Sequence, residues 1–173
     1  DIFPIEYLEI IDSEELIYGK KLSELTSIDQ KNLRLQIESN IRRNSILIKN
    51  AFIYNKNNLL SIIEGSLNNF VISLKNLLRM SNNSVKEMGA RDILVKTADL
   101  FELDIQLLFL LLRIINDPKL LKKEKTDLDE IFFSYLEQID NAATYVDKLE
   151  SLTQKKKPSA KKRTTSGSDA TNN

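Results

Sequence analysis

The sequence predicts an all-α protein: an antiparallel bundle of about five helices, with a short strand-like segment before it and a disordered basic tail after it. Three observations carry this. Only 4 Gly and 3 Pro occur in 173 residues, too few turn formers for an all-β fold. Apolar residues recur at helical spacing over long stretches. Serine-led capping boxes stand where two of those stretches begin. The length suits one domain with a single hydrophobic core.

The first element is Phe3-Pro4-Ile5-Glu6-Tyr7-Leu8-Glu9-Ile10-Ile11. Its partial alternation and its Ile and Tyr content read as a strand. A lone strand is unstable, and no partner strand follows, so the pattern implies a sheet lying outside this chain. Ser13-Glu14-Glu15 opens a short helical turn that Gly19 closes. The first long helix begins at the box Ser27-Ile28-Asp29-Gln30 and runs to about Tyr54, with Leu33, Ile37, Ile41, Ile48 and Phe52 on one stripe. Asn55 to Asn58 form a turn.

The second helix carries the clearest stripe, from Leu59 through Ile63, Leu67, Phe70 and Leu74 to Leu78, and ends near Met80. Gly65 and Ser66 inside it point to close packing against a neighbour. A second box, Ser84-Val85-Lys86-Glu87, starts a third helix that reaches about Phe101. The fourth spans about Asp104 to Ile115 and is apolar nearly all round, which predicts a central position. Asn116-Asp117-Pro118 stops it. Leu120 to Lys125 reads as a charged connection. Thr126 caps the fifth helix, whose face runs from Leu128 through Phe132, Tyr135 and Ile139 to Leu149, and whose early Asp127, Asp129 and Glu130 suit the helix dipole.

After Leu152 the composition changes. Residues 153–173 hold little that is apolar and cannot offset the entropy of ordering. The expected organisation is therefore a junction over 1–26, a helical bundle over 27–152 and a tail over 153–173. Lysine plus arginine and aspartate plus glutamate number 25 each. That balance conceals an asymmetry: the tail holds six cations and one anion, leaving 19 cations against 24 anions on residues 1–152. In the tail, Lys155, Lys156, Lys157, Lys161, Lys162 and Arg163 are the candidate nucleic-acid contacts, since clustered cations displace phosphate counterions. A nuclear import signal and a plain solubilising tail are the other readings of the same string. No aromatic residue is interleaved there for base stacking.

Histidine and cysteine are both absent. Their absence excludes a Ser-His-Asp triad, a cysteine nucleophile, a Cys/His zinc site and disulfides. Mg²⁺ or Ca²⁺ on carboxylates stays open. Gly65-Ser66 matches the pair that opens the nucleotidyltransferase motif, but no carboxylate follows before Glu87, so no Mg²⁺ site can form from it. Asp99 with Glu102, Glu14 with Glu15, and Asp127 with Asp129 and Glu130 read as solvated faces or helix caps. No phosphate-binding Gly-x4-Gly-Lys loop occurs. No catalytic, cofactor-binding or metal-ligating residue is assigned. The longest apolar run, Leu107 to Ile115 through Arg113, is too short to span a membrane, and the N-terminus does not read as a signal peptide.

Several strings resemble the C-terminal half of bacterial and archaeal nucleotidyltransferase-domain proteins. Phe3-Pro4-Ile5-Glu6-Tyr7-Leu8-Glu9-Ile10 with Leu16-Ile17-Tyr18-Gly19 is similar to the junction there. Leu33-Arg34-Leu35-Gln36-Ile37-Glu38, Ile41-Arg42-Arg43 and Leu47-Ile48-Lys49 resemble the first long helix of the helical half. Phe132, Tyr135, Leu136 and Val146-Asp147-Lys148-Leu149 resemble its last helix. The resemblance implies a bundle of the kanamycin-nucleotidyltransferase C-terminal or HEPN-like kind. Such a bundle packs on a catalytic domain, shapes the acceptor cleft and often dimerises. Mg²⁺ and a nucleotide would belong to that other domain, not to this chain. Some HEPN domains are ribonucleases with an Arg-x4–6-His motif; Arg42 or Arg43 matches the arginine, and no histidine completes it.

The functional expectation is a non-catalytic accessory domain whose partners are its own or another nucleotidyltransferase domain, with a homodimer and, through the tail, nucleic acid as further partners. The alternative is a stand-alone interaction module with a nucleic-acid-binding tail. The expected compartment is the cytoplasm, or the nucleus in a eukaryotic host.

Overall fold

A computed structural model describes residues 3–25, 27–81, 83–123 and 127–155. Among them there are eight α-helices and no strand. They are α1 Pro4–Ser13, α2 Leu22–Leu25, α3 Gln30–Tyr54, α4 Leu59–Met80, α5 Ala90–Phe101, α6 Ile105–Asn116, α7 Lys119–Lys123 and α8 Leu128–Lys155, with a 3-10 turn at Lys56–Asn58 between α3 and α4. The all-α class is what the composition and the stripes predict.

The three long helices make the body. α3 packs on α4 and on α8, and α5, α6 and α1 close around them. The stripe of α4 is buried along its length, with Leu59, Ile63, Leu74, Leu77 and Leu78 at zero exposure. α3 contributes Leu33, Ile37, Ile41 and Ile48, and α8 contributes Ile131, Phe132, Ile139, Ala142 and Val146. Each fully buried Leu or Ile stabilises the fold by roughly 1.5–3 kcal/mol. Phe52 of α3 stacks on Phe132 of α8, with ring centroids 4.4 Å apart.

The segment read as a strand is helix α1. Pro4 occupies its first turn, where the missing N–H costs nothing and the fixed φ suits a helix. Phe3 offers no side-chain cap; instead the Ile5 N–H, otherwise unpaired, donates to Gln36 Oε1 of α3 at 2.7 Å. Ile5 and Leu8, three residues apart, are buried, so a helical period outweighs the β-propensity of Ile and Tyr. No missing sheet is needed to explain it. Ion pairs fasten α1 to α4: Lys75 Nζ lies 3.2 Å from Glu9 Oε1 and 2.7 Å from Asp12 Oδ2, and Arg79 also pairs with Asp12. Within the expected junction, α1 is thus packed on the bundle, while Ile17 and Tyr18 of the loop after it are exposed.

Four boundaries shift. The turn expected after Ser13 is a non-helical loop, and the helix there is α2. α3 is capped by Asp29, whose Oδ1 accepts from the Lys31 N–H at 2.7 Å, not by Ser27; a carboxylate is the better partner for the positive helix end. The box at Ser84 does not open α5. Val85 is drawn into the core, the Met88 N–H donates to the Val85 carbonyl to close a turn, and the helix starts after Gly89. The charged connection after Pro118 contains α7, with Asp117 Oδ1 accepting from the Lys119 N–H at 3.2 Å.

The expected cap Thr126 lies outside the described residues; at the start of α8, Asp127 Oδ1 accepts from the Asp129 N–H at 2.9 Å. α8 continues to Lys155, so residues 153–155 belong to a helix, and the rest of the expected tail lies outside the described residues. α6 is not central. Only Leu108, Leu111 and Ile114 of it are buried. The middle of the molecule is filled by α3, α4 and α8, and a helix of 12 residues is left to lie along one side.

Candidate functional site

Two polar constellations stand out first. Between α3, α4 and α8 lies a buried hydroxyl pair: Ser66 Oγ and Tyr135 Oη are 2.9 Å apart, and Asn44 Nδ2 donates to the Ser66 carbonyl oxygen at 2.9 Å. Tyr135 has zero exposure. Burial pushes its pKa well above the ordinary tyrosine value, against the hydrogen bonds to Ser66 and Asn44, which lower it. Ser66, the serine of the Gly-Ser pair, is therefore committed to the core. Gly65 faces the other way: a Cβ placed there meets nothing within 4 Å. It is not a close-packing glycine, contrary to the expectation; only Ser66 packs.

The second constellation is a charge ladder on the α3–α8 seam. Arg42 pairs with Glu38 and Asp147, Lys49 with Asp140, and Lys56 with Asp129. Hydrogen bonds first to Asp147 and then to Glu38 hold the Arg42 guanidinium above its ordinary pKa. Arg43 reaches a further surface. It is exposed and lines a cleft between α1, α3 and α4 with Glu6, Glu9, Asn40 and Asn44. Arg42 and Arg43 also line one shallow cleft together, with Leu35, Glu38, Ser39 and Ile46.

The acids singled out by the sequence are separated. Asp99 and Glu102 are exposed near the end of α5, and Glu102 takes the left-handed cap position at φ 55°. Among the described residues no three or more acids gather as the ligands of a cation would. Of the six candidate nucleic-acid contacts, Lys155 ends α8; Lys156, Lys157, Lys161, Lys162 and Arg163 lie outside the described residues. No helix among the described residues is long and apolar enough to cross a membrane.

Three apolar surfaces were not picked out by the stripes. On the outer side of α3, Leu35, Ile46 and Ile53 are 43%, 60% and 66% exposed. Spacings of eleven and seven residues place them in one line, about 27 Å long at the rise of an α-helix. The line is not continuous: Arg42 stands between Leu35 and Ile46, and all three line one shallow cleft. The second surface is a groove of about 930 Å³ along α6, floored by Phe109, Leu110 and Leu112, with Arg91 and Arg113 beside it. The third is the loop between α1 and α2. The near-uniform apolarity of α6 was the signal for the groove, but it reads equally well as burial. The ridge had no clear sequence signal, because its residues fall outside the core stripe by design of the helix period.

No protein-family model matches the chain, and neither does any curated protein or solved structure.

Proposed function

We propose that the chain is a helical accessory module that packs through the outer face of α3 on a nucleotidyltransferase-type catalytic domain and contributes to its acceptor side. The observation that carries this reading is the set of aliphatic residues Leu35, Ile46 and Ile53 exposed along α3. It lies on the helix whose sequence resembles the first long helix of that family's helical half. Burying three such side chains at a partner supplies the apolar centre that a stable interface needs. With α1 a helix, the attachment works through helix faces and shares no sheet with the partner.

The reading frame upstream of Asp1 and its neighbouring genes provide the first test. A Gly-Ser pair with Asp-x-Asp or Asp-x-Glu about ten residues later, the spacing that holds the Mg²⁺ ions of nucleotidyl transfer, identifies the partner. Binding of the chain to that domain is then measured by calorimetry. An Ile46→Asp, Ile53→Asp double variant is expected to weaken it roughly tenfold or more, with an unchanged circular dichroism spectrum. Absence of such a domain from the locus, or binding indifferent to the two changes, overturns the proposal.

A further inference from the structure

Helices α1, α3 and α4 enclose a cleft of about 520 Å³. The deepest residues of its lining, Ile5 and Asn44, are only 3% and 5% exposed, and Ile72 beside them is half-buried. Ile10 and Leu47, 56% and 51% exposed, stand at the edge. An apolar lining with a few convergent polar groups, in a volume of this order, is the usual form of a small-ligand site. What sets this cleft apart is the state of its polar groups.

Glu9 is already spent, since Lys75 Nζ lies 3.2 Å from its Oε1. Asn44 is spent too, donating to the Ser66 carbonyl oxygen. Arg43 of α3 and Glu6 of α1 are not. Neither pairs with a charged group among the described residues; Glu6 Oε2 only accepts from the neutral Gln36 Nε2, at 2.5 Å. One cation and one anion, from different helices, thus face the same cleft without meeting each other. The side-chain amides of Asn40 and Asn69, in the same lining, make no hydrogen bond among the described residues. Each amide offers both a donor and an acceptor, which is what a peptide group needs.

We infer that this cleft binds a short apolar peptide as its zwitterion. The peptide carboxylate takes Arg43, whose forked N–H donors match it. The terminal ammonium takes Glu6, the peptide group bonds to the Asn amides, and the apolar side chains cover Ile10, Leu47 and Ile72. Each feature disfavours a rival. A fatty acid would use Arg43 but meet Glu6 as a like charge and leave the amides idle. A cationic amine would meet Arg43 in the same way. A nucleic-acid phosphate finds two acids in the lining. A single amino acid leaves most of the volume empty. The cleft makes no use of Ile46 or Ile53, so this inference stands or falls independently of the accessory-module reading.

Amide chemical-shift titration of the full chain at neutral pH tests it. The probe is leucyl-leucine, beside two probes that each lack one charge: N-acetyl-leucyl-leucine, without the ammonium, and leucyl-leucinamide, without the carboxylate. Leucyl-leucine is expected to bind with a Kd of about 1 mM or below, in keeping with its few heavy atoms, and to shift the amides around Asn40, Arg43 and Asn69. Each blocked probe is expected to bind roughly tenfold more weakly. Arg43→Gln should abolish the preference for leucyl-leucine over the amide and keep the preference over the acetylated probe; Glu6→Gln should do the reverse. Both positions are exposed, so circular dichroism should not change. No binding at about 10 mM probe, blocked probes that bind as well as leucyl-leucine, shifts confined to another surface, or preferences that ignore the two variants overturn the inference.

Discussion

Arg42 Nη2 donates to both carboxylate oxygens of Asp147, at 2.9 and 2.7 Å, and so fixes α8 in register against α3. The next pairs keep the same antiparallel register. Lys49 lies 3.4 Å from Asp140, Ser45 Oγ donates to the same carboxylate at 2.9 Å, and Lys56 meets Asp129. Arg42 and Lys49 stand seven residues apart on α3, two helical turns, so they line one edge of the helix, and Lys56 continues the series from the 3-10 turn that follows it.

The Arg42 and Asp147 side chains are 51% and 48% exposed, and solvent screens such pairs. Arg42→Ala is therefore expected to lower stability by less than about 1 kcal/mol, and by less still in high salt. Arg42→Glu is expected to cost more, because it sets a third carboxylate between Glu38 and Asp147. Urea denaturation at low and high salt checks both. A loss from Arg42→Ala that does not shrink with salt would show that packing of the aliphatic stem, not charge, holds the seam.

The Asp12 cluster differs in burial. The side chains of Asp12, Lys75 and Arg79 are only 11%, 12% and 19% exposed. Asp12→Ala removes the shared acceptor and leaves two cations short of a partner, although Lys75 retains Glu9. The expected cost is about 1–3 kcal/mol. It should fall on α1, because these contacts fasten α1 to α4. Amide hydrogen exchange should quicken over Pro4–Ser13 while α4 and α8 stay protected. Unchanged exchange in α1 would mean that Ile5 and Leu8 alone hold it.

What could be read from the residues, and what could not, follows from where the information sits. The stripes of α3, α4 and α8 are long, and their period is unambiguous; the core list built on Leu33, Ile63, Tyr135 and Ile139 holds. α1 reads as a strand from its own residues because its decisive partners are distant in sequence. Gln36 caps it and Lys75 and Arg79 pair with it, and none of these is visible in a window of ten residues. α5 starts late because Val85 gains more from the core than Ser84 gains from capping. The position of α6 is not legible in its residues, because apolarity all round a helix does not say which of its faces the rest of the fold covers. The exposed apolar sets on α3 and on the α1–α2 loop depend on tertiary exposure, which a single sequence does not encode.

Gly65 provides a prediction that the sequence alone reverses. Read as a close-packing residue, it would not tolerate a methyl group. In the structure it is exposed in the interior of α4, with open space at the Cβ position. Glycine in a helix interior costs roughly 0.5–1 kcal/mol relative to alanine, through backbone entropy. Gly65→Ala is therefore expected to raise stability by about that amount and to leave the fold unchanged, as measured by thermal denaturation. A destabilised variant would place an unseen neighbour at this face.

Tyr135 sets a limit on the alkaline side. Its hydroxyl is buried against Ser66, and burial raises its pKa from an ordinary value of 10.0. Above that ordinary value the unfolded chain ionises this tyrosine while the folded chain keeps it neutral. The contribution of the neutral, buried hydroxyl is therefore fully present below about pH 10 and is lost progressively as pH rises beyond it. The chain should unfold more readily in that range, with Tyr135 gaining phenolate absorbance only as the fold opens. Tyr135→Phe should flatten this part of the stability–pH curve. At neutral pH it should cost about 1 kcal/mol, because the Ser66 hydroxyl loses its partner in the core. A phenolate signal from Tyr135 in the still-folded chain, or a variant with the same alkaline slope, would place the hydroxyl in contact with water.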